Sequence, residues 1–207
     1  MDGFITESLS KITDGFGNSV KLIVIYALTT LLAIPIWNYF NRAGLLIYII
    51  ILLAIGGYEL QRSLLPRVSE PRRAWHGMAA GLIFWQSIRF ITELTSTQMF
   101  QGAGVLFWLL AVIITAVLWK RILPISMQSA MLTLLVCWLE KIYQQGFSIL
   151  TSWPPVISFA YQLQRWVAVG IGILCLLLII FRSYGLNKRV YCAVLIFGAF
   201  LFLLLVF

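Results

Sequence analysis

Residues 84–94 read FWQSIRFITEL and place Gln86, Arg89 and Glu93 in a run that is otherwise apolar. Their spacing of three and four puts all three on one face of a helix. A charge turned toward hydrocarbon costs about 2.5 to 3.5 kcal/mol even on the lenient insertion scale, so this face must point into a bundle and meet other helices. The stretch therefore predicts an all-α bundle, and the rest of the chain predicts that the bundle lies in a membrane.

The chain is 61% hydrophobic and only 11% charged, too apolar for a water-soluble domain. The formal net charge of +8 sits in short basic clusters between apolar runs, as topology determinants do, which argues against nucleic acid as a partner. Cys137, Cys175 and Cys192 fall inside apolar segments without CxxC spacing, so neither a disulfide framework nor a zinc site is implied. The amino terminus lacks a basic n-region and a small-residue cleavage pattern, and its first apolar run is expected to stay attached as a membrane helix. Before that run, residues 1–17 carry Phe4 or Ile5, Leu9, Ile12 and Phe16 on one face and Glu7, Lys11 and Asp14 on the other. A short interfacial helix is expected there, with residues 18–207 forming a single transmembrane domain.

A span needs about 20 apolar residues, and about seven stretches qualify. They are residues 18–39, 43–62, 73–95, 102–120, 125–145, 154–182 and 189–207. Pro71, Pro124, Pro154 and Pro155 stand where helices can start, whereas Pro35 interrupts the first span and should kink it. Arg62, Arg67, Arg72, Arg73, Lys120, Arg121, Arg182, Lys188 and Arg189 crowd the loops after spans two, four and six; the other loops hold essentially Arg42. The asymmetry predicts a multi-pass inner-membrane protein with its amino terminus in the cytoplasm and its carboxyl terminus outside. Six spans follow instead if the fifth merely lies in the interface.

At about 1.5 Å per residue, Arg89 lies about 9 Å below the outer edge of span three, with Glu93 near that edge. Glu140 and Lys141 come about 6 to 8 Å below the same edge on span five, and Arg165 about 15 Å below it on span six, with Tyr161 and Gln164 just shallower. Ser126, Ser129, Thr133, Cys137, Glu140 or Lys141 and Gln144 follow one line along span five. Spans three, five and six are thus expected to converge on an outward-facing cluster. WQSIRF at 85–90 and YQLQRW at 161–166 echo one another in antiparallel spans, as inverted transporter repeats do, but six positions are too short to establish a repeat. The small-residue patterns Gly77-x-x-x-Gly81 and Ala168-x-x-x-Gly172 predict close helix approach without naming the partner helix.

Two functions suit these residues. In the first, Arg89 and Arg165 hold an anionic solute or lipid head group that the protein binds or translocates. Glu93, Glu140 and Lys141 then belong to the same polar cluster, and Gln86, Tyr161 and Gln164 supply neutral hydrogen bonds. In the second, the charges are an internal ion-pair network of a structural or accessory subunit, partnered by other membrane subunits or by copies of itself. An enzyme is the weaker reading, because the sole histidine, His76, lies at the opposite side from Glu140 and no catalytic motif is present. No cofactor is implied. A sealed Ser126-to-Gln144 stripe favours the subunit and a water-accessible one favours transport.

Overall fold

The computed structural model describes residues 2–94, 124–151, 157–181 and 188–204. Among these residues the regular structure is entirely helical: α1 (Asp2–Leu64), α2 (Glu70–Leu94), α3 (Ile125–Thr151), α4 (Ile157–Phe181) and α5 (Lys188–Leu204). The stretch 102–120, expected as span four, lies outside the described residues.

The backbone of α1 breaks at Asn41, whose φ of 53° and ψ of −148° are not helical. This combination lies outside the left-handed helical region that asparagine favours, in space that glycine occupies most readily, and here it reverses the chain. The second arm returns along the first: the Tyr48 hydroxyl donates to the Thr29 carbonyl at 2.8 Å. Ala33 packs with Leu45, Tyr48, Ile49 and Leu52. Pro35 lies inside the first arm, and the helical assignment runs through it to Asn41. The amino-terminal residues from Asp2 are helical and continuous with that arm, and their side chains to Gly15 lie outside the described set.

Helix α2 is the axis of the bundle, packing against both α1 and α3. Ser69 supplies the carbonyl that accepts from Arg73 N at 2.9 Å, so the chain enters α2 with a serine cap and Pro71 in the first turn. Helix α3 begins likewise, with the Pro124 carbonyl accepting from Met127 N and Gln128 N. It then runs to Thr151, past the end expected near residue 145, because no proline interrupts it before Pro154. Leu22, Met78, Leu82, Trp85, Val136, Val194 and Phe197 bring α1, α2, α3 and α5 into one core. Helix α4 is peripheral, touching only α3 and α5 among the described residues.

Two glycines set the α2–α3 distance. A Cβ at Gly77 would collide with the Ser126 carbonyl and the Ser129 hydroxyl, and one at Gly81 would stand 2.5 Å from the Ala130 carbonyl. The backbones meet because no side chain intervenes. Across that contact the Ser129 hydroxyl reaches the Ala74 carbonyl at 2.9 Å. The other small-residue pattern finds a different partner: Ala168 is fully buried, and a Cβ at Gly172 would lie 3.3 Å from Leu203 of α5.

The exterior of α1 is apolar, and several polar side chains lie inside the bundle beside its apolar core. Leu28, Leu31, Leu32, Ile47, Ile50 and Ile51 are exposed, whereas Ser87, Gln86, Ser126, Ser129, Thr133 and Glu140 are buried. The stretch Phe16–Leu64 is long and apolar enough to cross a membrane, with a mean hydropathy of 2.1. A contiguous apolar exterior of this kind associates with lipid or with other protein in preference to water.

Candidate functional site

The centre of polar convergence lies where the first arm of α1 meets α2 and α3. Gln86, fully buried on α2, has Nε2 within hydrogen-bond reach of the hydroxyls of Thr29 and Thr30, each at 3.1 Å, and of the Tyr26 carbonyl at 3.3 Å, and its two hydrogens are shared among these three acceptors. Its Oε1 is buried without a hydrogen-bond partner among the described residues. One turn further along α2, Arg89 Nη1 donates to the Tyr26 hydroxyl at 3.0 Å. From α3, Glu140 is buried at 6% exposure.

This arrangement departs from the expected one in its third helix. The first arm of α1 replaces span six: Arg165 is exposed on the outer side of α4, and α4 makes no contact with α2 among the described residues. Gln164 is half-buried, and its carbonyl accepts a hydrogen bond from the Tyr143 hydroxyl of α3. Lys141 is half-buried beside Glu140 in sequence, and the side chains of Glu93 and Tyr161 lie outside the described residues. The physical reason for the difference is depth and azimuth. A place in the same outer half of the membrane suggests that Arg165 meets the others, but the close α2–α3 contact through Gly77 and Gly81 leaves α4 on the far side of α3 and α5.

Tyr26, Thr29 and Thr30 were legible by the rule that exposed Gln86 and Arg89. In "YALTT" they recur at three and four, one polar face in an apolar run.

The line along α3 turns inward throughout: Ser126, Ser129, Thr133, Cys137 and Glu140 are between 0 and 6% exposed. Their hydroxyls are consumed locally, Ser129 on the carbonyls of Ala74 and Ser126 and Thr133 on that of Ser129. From Ser126 to Glu140 this stripe is sealed by protein.

Arg89 also forms one wall of a cavity of about 390 Å³ between the two arms of α1 and α2. Its apolar sides are Ala33, Ile34, Leu45 and Phe90, and its polar groups are Thr30, Asn38 and Arg89. Of the lining residues, Ile34, Trp37 and Asn38 are exposed. A cavity of this size, apolar but with a few converging polar groups, has the character of a small-ligand site.

Compared with known protein families, with curated proteins and with solved structures, the chain matches none.

Proposed function

We propose that the chain is a polytopic inner-membrane protein of about seven helices that binds the head group of an anionic lipid in the cavity beside Arg89. The observation that carries this reading is the combination of a tyrosine-anchored guanidinium with a mostly apolar cavity whose lining is partly exposed. The Tyr26 hydroxyl accepts from one edge of the arginine fork, and an oxyanion in the cavity is attracted by the guanidinium charge. Apolar walls accept the glycerol and upper acyl carbons, and the exposed Trp37 indole suits an interfacial position. The basic-loop asymmetry puts this end of α2 in the outer leaflet.

Binding is favoured over translocation by the burial of the α3 stripe from Ser126 to Glu140. The same burial supports a second reading, a structural subunit of a larger membrane complex in which the polar residues only fix helix register.

The test compares thermal stability of the parent and Arg89→Gln in detergent, with added phosphatidylglycerol, phosphatidylcholine or inorganic phosphate. The binding reading expects phosphatidylglycerol to raise the midpoint of the parent and to leave Arg89→Gln unmoved. A response to inorganic phosphate alone would assign the site to a free anion. Equal destabilisation of the variant in all conditions would favour the structural subunit.

A further inference from the structure

Arg165 is exposed on α4, and the membrane reading makes that exposure informative. It lies about 12 Å along the helix axis from Ile157, at about 1.5 Å per residue, well inside the span. An arginine at that depth needs a counter-charge, a water-filled cavity or a route to the interface.

The chain itself supplies no counter-charge to that face among the described residues. Its acidic residues are Asp2, Glu7, Asp14, Glu59, Glu70, Glu93 and Glu140. The first three lie at the amino end of α1, Glu59 is taken by His76, and Glu70 opens α2. Glu93 is on α2, which α4 does not touch, and Glu140 is buried in the α3 interface. The stretches 95–123, 152–156, 182–187 and 205–207 contain no aspartate or glutamate at all.

The surface around Arg165 has the form of a helix-docking face. Gln162, Arg165, Trp166, Gly170 and Ile173 recur at three and four along α4 and are all exposed. Trp166 is 74% exposed, and at Gly170 an added Cβ would meet nothing within 4 Å, so a notch follows the indole by one turn. A small residue between a polar group and apolar ones is what lets another backbone come close enough for an interhelical contact.

We infer that this face of α4 docks a transmembrane helix of a partner subunit, and that the partner presents a carboxylate to Arg165. A second copy of this chain fits less well, because its α2 carboxylate, Glu93, is next to the last residue of the helix and thus near the membrane edge. The inference rests on the membrane reading proposed above and is independent of the Arg89 cavity.

The probe is a synthetic leucine-rich transmembrane helix carrying one glutamate at the depth of Arg165, with an all-leucine helix as control. Association with the full chain is read by energy transfer in phosphatidylcholine vesicles, which carry no net charge. The glutamate helix is expected to associate about tenfold more tightly than the control, the size of an interhelical polar contact in model peptides. Arg165→Leu should abolish the difference, and Arg165→Glu should transfer the preference to a lysine-bearing helix. Because Arg165 is exposed, these variants should keep the parent's thermal midpoint; a lowered midpoint would mean a structural role and overturn the inference. Equal binding of both helices would overturn it. So would Arg165-dependent energy transfer between copies of the chain alone, which would assign the face to self-association, or a preference that appears only with anionic lipid. Resistance of the vesicle-bound chain to alkaline extraction is measured first: failure there overturns the membrane reading itself, whereas failure to associate after insertion overturns this inference alone.

Discussion

Glu59 and His76, 17 residues apart, meet at 2.5 Å and tie the end of the α1 hairpin to the start of α2. The pair spans the short connection through Pro66, and it takes the place of the simple Glu59–Arg62 pairing that helical spacing suggests. Arg62 lies instead over the Tyr58 ring at 5.0 Å. Both members are partly exposed, with side-chain accessibilities of 15% and 21%, so solvent limits what the contact contributes. A double-mutant cycle of His76→Ala and Glu59→Ala, read by unfolding in mixed micelles, should return a coupling of about 0.5 to 1 kcal/mol. Strict additivity would mean that the contact contributes nothing.

Gly77→Ala and Gly81→Ala should each destabilise the bundle by about 1 to 3 kcal/mol, because the new methyl group meets backbone of α3 that has no room to yield. Gly170→Ala is the control. Its Cβ enters open space, and removal of glycine's excess backbone entropy should make it neutral or stabilising by about 0.5 to 1 kcal/mol. Equal midpoints for Gly77→Ala and Gly170→Ala would contradict the close α2–α3 approach.

Asn41 carries the reversal of α1 at a positive φ that β-branched residues resist. Asn41→Gly should preserve or raise the thermal midpoint, whereas Asn41→Val should cost about 1 to 3 kcal/mol. If valine is tolerated as well as glycine, the two arms are joined by a different backbone conformation.

Gln86→Leu should cost less than its burial suggests, about 0.6 kcal/mol and below about 1.7 kcal/mol. Two N–H donors are lost, but the Thr29 hydroxyl keeps its one hydrogen shared between the Ile25 and Tyr26 carbonyls, and the unpartnered Oε1 is removed along with the amide. A loss near 3 kcal/mol in the same unfolding assay would show that Oε1 has a partner, such as an ordered water.

Much of this protein follows from its residue order. The helical class is written in long apolar runs, and the break in NYFNRAG falls where the hairpin turns at Asn41. The inward orientation of Gln86, Arg89 and the Ser126-to-Glu140 line follows from the cost of placing polar groups against hydrocarbon. Those are local quantities, set by spacing along one helix and by the medium around it. Which helices meet is not local. A place in the same outer half of the membrane suggests that Arg165 meets Arg89, yet in three dimensions Tyr26, Thr29 and Thr30 occupy that place. The choice is made by surfaces that fit: Gly77 and Gly81 admit α3 against α2, and the Asn41 reversal lays both arms of α1 along α2. Periodicity determines which face of a helix turns inward, but only the packing of complementary surfaces decides what that face finds there.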